Sequence, residues 1–347
     1  MSAVVPLRDE MADAACWRQN GLPGLSVCLP ARQVAELAVR AAILEVAVSP
    51  KPGLVCLGSN GAHSDMDYPL FVRSARALRP YFAQAHTLGA ATGHLAPGQV
   101  FARLRPLGVA AEQCMLRATA GVNTHKGLIF SMGLFCAAVG RLGAGMAEQA
   151  VSADAVRQTA ASFADGLVQK DFAPLAAQGA ALRESLREAR GGSHVHMYAP
   201  RAARPQLEAH LNRRLTAGEV QYLLYGTTGI RGEAERGFPH VGLALRALEA
   251  HGAAFDLNTA MAHGLLELLQ GMDDTNLLWR GGPQGLRHAA EAARAALAAG
   301  GLRSPAGQEQ LRRMSADFAR RKLSPGGCAD ILAVSVFLWL LRCHVEG

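Results

Sequence analysis

Apolar residues recur at three- and four-residue spacing along most of this chain, and strict apolar/polar alternation is hard to find. Val34, Leu37, Ala38, Ala41, Leu44 and Val48 mark one face of a helix over Arg32 to Val48, which Ser49-Pro50-Lys51-Pro52-Gly53 stops. Tyr68, Phe71, Ala75, Leu78 and Phe82 mark a second face. Ala110 to Ala120 has helical composition, Gly121 suits the left-handed position that ends a helix, and Asn123 or Thr124 can cap the next one. That next helix runs almost without polar interruption from Leu128 to Val139. Residues 145 to 190 and 286 to 320 read as Ala-rich helical flanks, and Arg190 to Pro205 as loop. There is no fixed-period repeat and no linker long enough to separate two cores. The pattern predicts an all-α fold: a single multi-helix domain over residues 31–347, with functional loops at helix termini, preceded by an N-terminal appendage over residues 1–30.

Composition narrows the class. Half of the 347 residues are apolar and only 5% aromatic, which suits a large helical core. The formal charge of +7, with Arg far outnumbering Lys, suits bidentate capture of phosphates and carboxylates. No basic run with interleaved aromatics appears, so nucleic acid is not expected as a partner. Seven cysteines form no close pair, which argues against disulfides and structural zinc. The charged N-terminus and the shortness of the apolar runs, below the roughly 20 residues that span a bilayer, point to the cytoplasm and away from a membrane.

Candidate chemistry gathers where polar, Gly-containing loops meet helix ends. His125, Lys126 and Gly127 fall in the first turn of the apolar helix, where free amides and the helix dipole favour an anion. Lys51, Lys126, Arg231 and Arg280 each lie at or near a glycine, so a phosphate can approach backbone and side chain together. Asn123, Thr124, Ser324, Gly326 and Gly327 complete the candidate phosphate-binding set, Ser324 also being the expected cap of a helix with Pro325 at its first position. Asp65 with Asp67, and Asp273 with Asp274, are hard oxygen pairs suited to Mg2+ beside phosphates, although capping uses Asp in the same places. As metal ligands, all four are expected on one wall of the pocket that contains Lys126. Glu233, His125 and His63 are the candidate acids and bases; Arg231 and Arg236 could equally hold Glu233 and Glu235 in an ion network. His194 and His196 read as surface residues. The G-x-x-x-x-G-K-[ST] and G-x-G-x-x-G phosphate loops are absent.

At these same junctions the chain resembles the triphosphoribosyl-dephospho-coenzyme A synthases that serve citrate lyase and malonate decarboxylase. The likeness is carried by Ser49-Pro50-Lys51-Pro52-Gly53-Leu54-Val55, Gly61-Ala62-His63 with Asp65-Met66-Asp67, Gly121 to Gly127, Gly229-Ile230-Arg231-Gly232-Glu233-Ala234 with Gly237-Phe238-Pro239, and Ser324-Pro325-Gly326-Gly327 with Ala329-Asp330. On overall likeness the malonate decarboxylase branch is favoured. The resemblance implies an all-helical enzyme that joins ATP to 3'-dephospho-CoA by a single inverting displacement and releases adenine, and the two Asp pairs add Mg2+ as its expected cofactor. Its product would pass to a phosphoribosyl-dephospho-CoA transferase acting on an acyl carrier protein. The oligomeric state is open, a homodimer being one option. A second reading, an all-helical Mg2+-dependent nucleotide or ADP-ribosyl glycohydrolase, uses the same acidic pairs with water as acceptor. A third, a helical interaction protein, needs no nucleotide.

Overall fold

In the computed structural model, which describes residues 24–144, 150–188, 200–252 and 256–342, the regular elements are helices, and isolated bridges such as Leu25 to Val151 stand in place of strands among the described residues. In chain order they are α1 Ala31–Ala47, α2 Tyr68–Ala77, α3 Arg79–Ala91, α4 Pro97–Ala118, α5 Lys126–Gly143, α6 Ala153–Phe163, α7 Leu167–Glu188 and α8 Pro200–Leu211. Then follow α9 Ala217–Tyr225, α10 Gly229–Glu235, α11 Pro239–Gly252, α12 Leu257–Gly271, α13 Thr275–Ala298, α14 Pro305–Arg321 and α15 Gly326–Arg342.

Helices α5 and α15 form the centre, with nearly every side chain from Leu128 to Val139 and from Ile331 to Leu341 buried. Both read as apolar all round, as a helix enclosed by others must. By length and composition α5 could cross a membrane, but 67% of it lies inside the protein, which marks it as a core helix. It packs most closely on α3, and small residues permit this: a Cβ on Gly89 would lie 1.9 Å from the Ala137 carbonyl oxygen, and one on Gly140 2.1 Å from that of His86. Helices α11, α12 and α15, and α1 with α3, complete the main core.

A second, smaller core lies apart. Phe172, Leu175, Leu207, Leu215, Val220, Leu223 and Leu224 gather α7, α8 and α9 into a satellite, with Trp279 of α13 packed against it. Asp171 ties this satellite down through Arg105 at 2.7 Å and Arg231 at 2.7 Å.

The periodic faces are where the pattern puts them: Val34, Leu37, Ala38, Ala41, Leu44 and Val48 are all buried. Gly121 does adopt a left-handed conformation, with φ +91. The expected helix through Tyr68 to Phe82 is instead two, broken at Leu78, because Pro80 cannot donate a helical hydrogen bond. Of the expected loop from Arg190 to Pro205, residues Pro200 to Pro205 are helical and the rest lie outside the described residues, as do His194 and His196. Burial also begins before Ala31, since Leu25 and Val27 belong to the main core. Cys56, Cys114, Cys136 and Cys328 are free thiols, while Cys16 and Cys343 lie outside the described residues.

Candidate functional site

Three long helices begin at one cavity. The first turns of α5, α13 and α15 supply Lys126, Gly127 and Leu128, Thr275 and Asn276, and Gly326 to a lobe of about 460 Å³. A second lobe of about 420 Å³ shares the wall formed by Asn123, Lys126, Gly127, Thr228 and Asn276. The positive ends of three helix dipoles therefore face the same space, the physical basis of a polyphosphate site.

A buried carboxylate builds this convergence. Asp274 accepts from the amides of Asn276 at 2.8 Å and Leu277 at 2.9 Å, capping its own helix, and from Cys328 at 2.7 Å, capping α15. One side chain thus fixes two helix starts at the same point. Asp67 is likewise a cap, accepting from the Leu70 amide at 2.8 Å. The expectation that both Asp pairs share one wall does not hold. One member of each pair is consumed as a cap, Asp65 lines the first lobe and Asp273 the second. Among the described residues, no group of three or more His, Cys, Asp or Glu is arranged to hold a metal.

The two candidate histidines are neutral. His125 is buried at the start of α5, its Nδ1 bonded at 2.7 Å to Ser74, whose hydroxyl Thr124 also contacts at 2.6 Å. Burial, helped by the nearby Lys51 charge, lowers its pKa to about 3. His63 bonds Ser324 at 2.8 Å through Nε2 and lies 3.3 Å from an Arg280 nitrogen through Nδ1; burial and Arg280 lower its pKa to about 4. Neither ring is an imidazolium at neutral pH, so of the two expected roles, acid or base, the cationic acid does not fit and a proton acceptor does. Ser324 serves that contact and not as the expected cap of α15, which Asp274 provides.

This arrangement makes acid destabilising. An unfolded His binds a proton below about pH 6.5, whereas folded His125 stays neutral until about pH 3. Between those values the unfolded state holds more protons, so stability rises with pH, by up to about 1.4 kcal/mol per pH unit for each such group. The urea midpoint is therefore expected to fall as pH drops from 6.5 towards 4, and His125→Gln should flatten that slope; an unaltered slope would show that His125 is not kept neutral.

The candidate cations divide. Lys51 is buried and spends its ammonium on Glu45, at 2.7 Å to both the carboxylate and the carbonyl, so it braces the cavity floor instead of reaching a phosphate. Lys126 touches both lobes, exposed and paired with Glu112 at 2.9 Å. Arg231 is anchored by Asp171 and lies 5.4 Å from the Phe172 ring centroid, while Arg236 does pair with Glu233, at 3.5 Å, as the expected ion network had it. Arg280 lines the first lobe. The Asn123 carbonyl accepts from the Lys126 amide at 3.3 Å, as a cap would.

Glu233 is buried in the second lobe and grips His240, at 2.8 Å to Nδ1 and 2.9 Å to the amide. Sequence reasoning missed His240, whose only signal was its position just after Phe238-Pro239. It also missed Asp330 as a site residue, though not as part of a motif. Asp330 lines both lobes, and Gly127 must be glycine there, because a Cβ would lie 2.1 Å from the Asp330 carboxylate. Burial, with Glu45 and Asp274 close by, pushes this carboxyl well above the ordinary carboxylate range, against a hydrogen bond from the Leu128 amide.

The cavity thus has two lobes that carry basic side chains, with the Asp330 carboxyl, raised by burial, between them. Residues 31–347 match the family model of ATP:dephospho-CoA triphosphoribosyl transferase. The chain belongs to this family. It is 40% identical over 308 residues to the probable 2-(5''-triphosphoribosyl)-3'-dephosphocoenzyme-A synthase of Citrobacter koseri, covering 88% of this chain and 89% of that one. No solved structure matches it. The resemblance read from the five motifs is thereby borne out, and the protein is a triphosphoribosyl transferase. The match begins at Ala31, at the start of α1.

Proposed function

We propose that the two lobes hold ATP and 3'-dephospho-CoA side by side, and that the triphosphoribosyl group crosses at the junction marked by Asp330 and Gly127. The observation that carries this reading is the sharing of one wall by two cation-bearing lobes with helix N-termini around them. In the transfer, the bond from ribose C1' to adenine breaks as a ribose hydroxyl of dephospho-CoA attacks C1', with inversion. Asp330, kept protonated, gives its proton to the departing adenine. The Glu233–His240 pair takes the proton of the attacking hydroxyl, so protons balance over the cycle. The neutral His63 and His125 hold the wall without adding charge where positive charge develops on the ribose.

Mg2+ fits this cavity as a partner of the triphosphate, with Asp65 in one lobe and Asp273 in the other as the carboxylates that would hold it. It would neutralise phosphate charge, with water filling its other positions. Asp65→Asn and Asp273→Asn are expected to raise the Mg2+ concentration for half-maximal rate, with Asp67→Asn unchanged; if neither of the first two shifts it, these carboxylates do not serve the metal.

Lys126→Ala is expected to weaken ATP binding about tenfold, at the lower end for a charge-assisted contact because Glu112 competes for the ammonium. Unchanged affinity by calorimetry would return Lys126 to a helix-start role.

The product's destination we assign to the acyl carrier protein of malonate decarboxylase, by way of a phosphoribosyl-dephospho-CoA transferase in the cytoplasm, on the motif likeness to that branch. Loss of the gene should then leave that carrier unloaded; loss of loading on the citrate lyase carrier instead would reverse the assignment.

A further inference from the structure

Both substrates bring an adenine, and one end of the first lobe is unlike the rest. Beyond the starts of α5, α13 and α15, the cavity is walled by Trp279 and by Gly218 and Gln221 of α9, with Ala217 and Ile230 shared with the second lobe, and Gly218 leaves the backbone open. Gln221 lies on this wall, 2% exposed. Its Oε1 is buried with no hydrogen-bond partner, and among the described residues it is the one such orphaned side-chain atom that belongs to a residue lining the cavity. An unpaired buried carbonyl is costly, and a turn of the carboxamide towards the cavity it lines would let a ligand's donor relieve that cost. An indole, an isoleucine side chain and one carboxamide make a surface for a flat heteroaromatic ring with a donor on its edge. A carboxamide can also pair in two places with the edge of adenine, accepting from the 6-amino group and donating to a ring nitrogen.

We infer that Gln221, backed by Trp279, forms an adenine-recognition subsite at the satellite end of the first lobe, where Gln221 Oε1 accepts from the 6-amino group of a substrate's base. This rests on the transferase reading above and adds to it the group that selects the base. It also gives the satellite of α7, α8 and α9 a role, since its own small core and the Asp171 clamp to Arg105 and Arg231 hold Gln221 against the cavity.

The test compares ATP with purine riboside triphosphate, which lacks only the 6-amino group, in the parent, Gln221→Leu and Gln221→Glu, following product formation with dephospho-CoA. The parent must make product from ATP; if it makes none, the transferase reading fails before the subsite is in question. Given that activity, the parent should prefer ATP by roughly tenfold or more in kcat/KM. Gln221→Leu should lose that preference by weakening use of ATP alone, while Gln221→Glu, which keeps an acceptor, should retain it. That result assigns the subsite to the base of ATP. If the preference is unchanged but KM for dephospho-CoA rises about tenfold at constant kcat in Gln221→Leu alone, the subsite holds the acceptor's base. If neither the preference nor that KM moves in a folded Gln221→Leu variant, or if both activities fall together by the same factor, Gln221 does not recognise adenine and the inference is overturned.

Discussion

Asp330→Asn is expected to lower kcat by about 10²- to 10⁴-fold, the range for loss of a positioned acid, with ATP affinity close to that of the parent. Asn keeps the size of the side chain and its contact with Gly127 but has no proton to give the departing adenine. Stability supplies an independent signature. The folded-state pKa of Asp330 is raised. In the unfolded chain its carboxyl ionises above about pH 3.9, while in the folded protein burial moves that ionisation to higher pH, so the unfolded state gains relative stability as pH rises between the two. Asn has no such penalty. The variant should therefore melt at a higher temperature than the parent at pH 7, with the gap closing towards pH 4. A variant that keeps full activity would remove Asp330 from the chemistry, and one that melts lower at pH 7 would mean that the carboxyl is ionised and paired. Gly127→Ala should mimic the loss of activity, since its methyl group would displace the carboxylate it abuts.

Asp274→Ala should be the most damaging single change to the fold. It leaves two buried amides, those of Leu277 and Cys328, without an acceptor, at about 1 to 3 kcal/mol each, frees the part-buried amide of Asn276, and releases two helix starts at once. A total loss on the order of 4 kcal/mol or more would unfold much of the protein near physiological temperature. Asp274→Asn should be milder. Its Oδ1 can still accept from Asn276 and Leu277, but its amide nitrogen would face the Cys328 amide, donor against donor. Denaturant unfolding of both variants checks this order; equal loss from Ala and Asn would mean that the bond to Cys328 carries the whole effect.

The same residue shows where the sequence could be read and where it could not. The face of α1, the left-handed Gly121 and the placing of chemistry at helix ends follow from local spacing, and local spacing is visible in one dimension. Asp273 and Asp274 are identical neighbours, and nothing in their order tells a cap from a residue open to the cavity. That Asp274 reaches Cys328, 54 positions on, is a fact of packing. Lys51 looks like a phosphate ligand beside its glycine, yet Glu45, one charged residue inside an apolar stripe, takes it into the interior. Histidine titration was equally hidden, because burial that drives His125 to about 3 depends on what surrounds it. Asp330 stood within a recognised motif, and its importance came only from Gly127, contributed by another helix. The five motifs were legible as a family signature because each sits at a junction that the fold brings to the same cavity.

Direct transfer between two bound substrates at one junction is most sharply tested by adenine release. The enzyme is mixed with Mg2+ and ATP in excess, with and without dephospho-CoA, and free adenine is followed from the first turnover. Direct transfer yields no adenine without dephospho-CoA, not even an amount equal to the enzyme, and one adenine for each product molecule when it is present. A stoichiometric burst without acceptor would show that the ribose is first passed to the protein, and continuous release would show hydrolysis; either would contradict direct transfer.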